Sequence, residues 1–94
     1  MLKISQLKGL QVEVGEVEVL GHHGKTVKIP HGASGRVTGE EGIAIFHDPR
    51  GHWRFECGIE VELESGKASY NGPVVVPIRH IMTEDLPDWL IRTT

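Results

Sequence analysis

Between Trp53 and Leu63 every second residue is apolar. Trp53, Phe55, Cys57, Ile59, Val61 and Leu63 share one parity, and Arg54, Glu56, Gly58, Glu60, Glu62 and Glu64 take the other. A period of two puts alternate side chains on opposite faces of a strand. Eleven residues in one such run exceed the common strand length of about five or six. A strand that long has to curve round a small barrel or bend, and Gly58 is where bending costs least. This reading turns the whole odd set inward, Cys57 and Trp53 included. The glutamates then form a solvated outer face that discourages edge pairing, or an acidic surface for a basic partner.

The same period recurs elsewhere, with glycines and prolines between the runs. In Leu10 to Leu20 the apolar set changes phase, from Leu10, Val12 and Val14 to Val17 and Val19. An unbroken strand would turn its second half outward, so a bend or bulge is expected at Gly15. Thr26 to Pro30 is a strand ended by proline, which supplies no N–H to a ladder. A turn at 31–35 leads into Arg36-Val37-Thr38, a further turn is expected at 39–42, and Ile43 to Phe46 pairs with Trp53 onward through Asp48-Pro49-Arg50-Gly51. Val74-Val75-Val76 lacks polar alternation and reads as a strand covered on both sides. Thr83 or Asp85 can cap a C-terminal helical turn at about 84–92, with Trp89, Leu90 and Ile91 as its packing residues.

Leu, Ile, Val and Phe make up 27 of the 94 residues, above the roughly one-fifth below which a charged chain stays disordered. With no repeat and no linker, residues 1–94 read as a single domain. The fold class is mainly β: a small barrel of five to seven short antiparallel strands with a short C-terminal helix or helical turn. The segment Val27-Lys28-Ile29-Pro30-His31-Gly32-Ala33-Ser34-Gly35-Arg36-Val37 resembles the turn of SH3-like barrels, including the KOW type, and Val74 to Ile81 is similar to their closing stretch. The resemblance implies an SH3-like barrel and leaves function open, because such barrels serve unrelated tasks. The chain departs from peptide-binding SH3 domains in having one tyrosine, and from ribosomal KOW modules in being acidic.

The formal charge of -3 lacks the basic excess that draws a chain to polyanions. One cysteine excludes an internal disulfide and points to a reducing compartment. No apolar run of membrane-spanning length and no secretory leader pattern occurs, so the expectation is a cytoplasmic protein with no membrane partner. Three functional readings follow. The leading one is a non-catalytic module for protein–protein interaction or assembly with itself, as a homodimer or larger, through an apolar surplus at Val74, Val76, Trp89, Leu90 and Ile91. The second is a KOW-like nucleic-acid surface using Lys28, Arg36 and Arg54, with Trp53 as a stacking platform. The third is a transition-metal site at His47 and His52, whose spacing fits one half of a zinc set without a second pair. No enzyme is expected, since Cys57 is the sole thiol nucleophile and an apolar setting would keep it protonated. No cofactor is called for.

Overall fold

The structure is a computed structural model that describes residues 4–22, 24–64 and 72–82. Six strands make one antiparallel sheet: β1 Gln11–Val14, β2 Val17–Leu20, β3 Thr26–Ile29, β4 Ala33–His47, β5 Trp53–Leu63 and β6 Gly72–Pro77. Their order is β3-β2-β4-β5-β6, with β1 also on β4. Single 3-10 turns occupy Ile4–Leu7 and Ile78–His80, and the described residues hold no α-helix. The mainly β class is as the alternation predicts. The expected C-terminal helical turn at 84–92, with Trp89, Leu90 and Ile91, lies outside the described residues.

Two expectations need correction. The strands are not uniformly short: β5 keeps the 11 residues that its alternation predicts, but β4 runs for 15. Nor is the sheet closed into a barrel. β1 and β2 take the same edge of β4 in series, at Ala33–Arg36 and at Phe46, while β6 pairs only with β5. An isolated bridge between Val14 and Ile81 ties β1 to the chain after β6. Beside it Gly15 N–H donates to the His80 carbonyl at 2.6 Å and Met82 N–H to the Glu13 carbonyl at 2.8 Å.

Gly15 and Glu16 interrupt the first run as its phase change requires, and both halves turn their valines inward: Val12 and Val14 from β1, Val17 and Val19 from β2. The turn expected at 39–42 is instead a bulge inside β4. There the register passes from Val37 opposite Val61 to Glu41 opposite Ile59, and Gly39 adopts φ 97°, a conformation open to glycine at little cost. The bulge also switches the buried parity of β4, from Ala33 and Val37 to Ala44 and Phe46.

Val74 and Val76 have no accessible surface. They pack in the core with Ile59, Val61, Phe46 and Ile81, so neither belongs to an apolar surplus on the outside. β6 reaches this position by closing on Gly58. A Cβ there would lie 2.4 Å from the Val76 carbonyl oxygen and 2.9 Å from Val75 Cγ1. Backbone cannot yield as a flexible side chain does, so Gly58→Ala should loosen the β5–β6 pairing and destabilise the fold by roughly 1–3 kcal/mol. Urea unfolding should show the midpoint shift, with Gly51→Ala, whose site has open space but φ 84°, as a strain-only comparison.

Candidate functional site

Gly58 divides β5 into two environments. On its C-terminal side Ile59, Val61 and Leu63 are buried as their period predicts. On its N-terminal side the same parity emerges into solvent: Phe55 is 70% exposed, Trp53 44%, and Cys57 is an exposed free thiol. The inward placement expected for Trp53 and Cys57 is therefore corrected. The cause is coverage. β6 pairs with Gly58 to Leu63 and stops at Pro77, and among the described residues no strand pairs with Trp53–Cys57 on the edge away from β4. Here the opposite face carries the core contact, through Ala44 and Phe46 of β4.

The antiparallel register extends the exposed face onto β4. Ile43 stands opposite Cys57, Ile45 opposite Phe55 and His47 opposite Trp53. Ile43 is 61% exposed and Ile45 half-buried. Asp48 N–H donates to the His52 carbonyl at 2.8 Å, so the adjacent pair His47/Trp53 is of the non-hydrogen-bonded type, in which side chains approach most closely. Their rings meet at 3.8 Å between centroids. Alternation makes the two pairs beyond it the same type. The result is a six-residue stripe, apolar except for its imidazole, laid along one face of two paired strands.

The turn at the end of this arm is tightly built. Asp48 Oδ1 accepts from the N–H groups of Arg50 and His52, both at 2.9 Å, and Oδ2 accepts from Arg54 Nε at 2.9 Å. Gly51, at φ 84°, closes the turn by donating to the Asp48 carbonyl. The His52 N–H bond, the Arg54 side-chain bond and the Arg50 N–H bond together hold the Asp48 carboxyl below its ordinary 3.8, against an opposing effect of desolvation. This turn fixes the register and so sets Ile45 against Phe55.

The remaining expected site residues are dispersed. Lys28 sits on β3, Arg36 on β4 binds Glu64 at 3.1 Å and Gln11 at 3.3 Å, and Arg54 is held by Asp48. Lys28, Arg36 and Arg54 thus stand on three different strands, and Arg36 and Arg54 are already engaged by carboxylates. His47 lies 3.5 Å from Glu18 and His52 3.9 Å from Asp48, so the two imidazoles face separate carboxylates. Among the described residues no three His, Cys, Asp or Glu side chains converge as a metal set. An open concavity of about 600 Å³ beside the arm is lined by Glu18, Lys28, Ile29, Pro30, His47 and His80, among others. No helix among the described residues is long and apolar enough to cross a membrane.

Comparison of the chain with protein-family models, with curated proteins and with solved structures finds no match.

Sequence reasoning passed over Ile43 and Ile45. The signal lay in Ile43-Ala44-Ile45-Phe46, which is apolar on both parities, so that one parity faces outward when the other is buried.

Among the described residues, Asp48 and His80 should make the fold sensitive to acid. A carboxyl lowered in the folded state stabilises above its unfolded value and loses that contribution as pH falls, so the Asp48 effect should appear below about pH 4. His80, edge-on to Phe46 at 5.6 Å, is lowered from 6.5 by burial first and by Arg79 second. Its neutral form is favoured in the fold, so stability should decline as pH falls below 6.5. Thermal unfolding between pH 7.5 and 2.5 should show both slopes. Asp48→Asn should flatten the lower one and His80→Gln the upper one.

Proposed function

We propose that the chain is a small non-catalytic β module that works by protein–protein interaction, including assembly with itself, through the exposed face of β4 and β5. The observation that carries this is the exposure of Phe55 and Ile43 on two paired strands, of which β4 turns Ala44 and Phe46 of its reverse face into the core. Soluble monomers rarely expose a contiguous apolar patch beyond a few hundred Å² unless something binds there. Aromatic side chains at the centre of a patch are also what protein interfaces enrich.

The surface differs from the one the sequence suggests, having moved from Val74 and Val76 to Ile43, Ile45, Trp53 and Phe55. Cys57 on the same face fits a reducing, cytoplasmic setting, where an exposed thiol at a contact surface stays unpaired. The SH3-like turn at Val27–Val37 fits the reading locally, with β3 and β4 joined through Gly32 at φ 82°.

Phe55→Ser is the direct test. A side chain this exposed contributes little to the fold of one chain, so unfolding free energy, measured at a dilution where both proteins are monomers, should change by less than about 0.5 kcal/mol. Sedimentation at tens of micromolar should find the wild type associated and the variant monomeric. Equal association of the two, or a core-like loss of roughly 3 kcal/mol in stability, would overturn the assignment of this face.

A further inference from the structure

We infer that the partner on this face is a second copy of the chain, joined by antiparallel pairing of the β5 segments Trp53–Cys57 about a two-fold axis at Phe55. The inference rests on the interaction reading above and names its partner and geometry.

The first ground is the free edge. Asp48 and His52 form a hydrogen-bonded pair, so the residues of β5 whose backbone groups point toward β4 are the even ones, His52, Arg54, Glu56 and Gly58. Trp53, Phe55 and Cys57 point their N–H and C=O groups the other way. From Ile59 onward that side is taken by β6. Over 53–57 it is open among the described residues. The same alternation turns Pro73 and Pro77 of β6 to its outer edge, where they block pairing. The 53–57 edge contains no proline and no bulge.

The second ground is charge. In an antiparallel two-fold pairing, residues opposite one another have numbers that add to twice that of the central residue. About Phe55, Phe55 meets itself, Trp53 meets Cys57, and Arg54 meets Glu56 of the other copy, twice by symmetry. The Arg54–Glu56 pairs fall at non-hydrogen-bonded positions, where opposite charges interact best. Neither group is exhausted by its own chain: Arg54 bonds Asp48 through Nε and Glu56 pairs with Arg79, yet a guanidinium has five donors and a carboxylate two oxygens.

Other axes fail on the same geometry. Centring on Arg54 or on Glu56 sets like charges face to face. An axis at Cys57 sends Phe55 against Ile59, where β6 already lies, and one at Trp53 runs Phe55 into the turn at Gly51. The Phe55 axis alone engages all three open residues, giving six backbone hydrogen bonds. Each β5 then occupies the lane that the other copy's β6 leaves at Pro77. The two stripes become one, with Phe55 beside Phe55.

Proline at position 57 tests this without touching the β4 ladder, because the Cys57 N–H points outward. By sedimentation equilibrium the wild type and Cys57→Ser should be dimers, whereas Cys57→Pro should dissociate with a dimer constant weakened at least about ten-fold, its unfolding midpoint showing that it is folded. Amide exchange on the wild type gives a second reading independent of any substitution: protection at Trp53, Phe55 and Cys57 should fall on dilution while Arg54 and Glu56 stay protected. A dimeric Cys57→Pro beside a monomeric Phe55→Ser would overturn edge pairing and leave the interaction face standing. Dimers in both variants would overturn both readings. A monomeric wild type at 100 micromolar (a concentration of about 10⁻⁴ M, where even weak specific dimers form) would overturn the second copy as the occupant.

Discussion

The close approach of β6 to Gly58 governs this structure. A strand can cross at the distance seen there because position 58 lacks a Cβ, which would otherwise meet the Val76 carbonyl at 2.4 Å. Once β6 is seated, its register from Gly58 to Leu63 places Val76 beside Ile59 and Val74 beside Val61. Those residues carry the centre of the core, and Ile81 follows them to bridge back to Val14. β6 ends where Pro77 stands, and the chain turns away through Ile78–His80. Every residue of β5 before that point is left without cover on one side.

The surface on β4 and β5 is thus a consequence of how the core is closed. Trp53, Phe55 and Cys57 have the same chemistry and parity as Ile59, Val61 and Leu63. What separates them is that the second group has β6 paired beside it and the first lies beyond the end of that pairing. The face is held rigid by the Asp48 turn at one end and by the continuous ladder to β4 along its length. A rigid apolar surface loses little conformational entropy on binding, which favours its use as a contact site.

Charge and proline are distributed unevenly around this face. Glutamates along and just after β5 find partners in Thr38, His22 and Arg36: Glu60 takes Thr38 and His22, and Glu64 takes Arg36. Prolines occupy the outer edge of β6. Arg54 and Glu56 break the pattern, being of opposite sign and flanking Phe55 symmetrically on the open segment.

Several features were legible in the residues themselves. Period-two alternation identified the strands, the phase change at Gly15 separated β1 from β2, and Asp48-Pro49-Arg50-Gly51 marked the hairpin that joins β4 to β5. Each is local, depending on pleat geometry, a missing Cβ or a fixed φ. The bulge at Gly39 was read as a turn, because a glycine among polar residues looks alike in both and only the partner strand distinguishes them. The long alternation of β5 determined which residues share a face. It did not determine how much of that face would be covered, since coverage depends on where β6 stops on its neighbour, and that is a contact between residues distant in the chain. For the same reason Val74 and Val76 went to the core and Phe55 to the surface: sequence period sets direction, and tertiary packing sets depth.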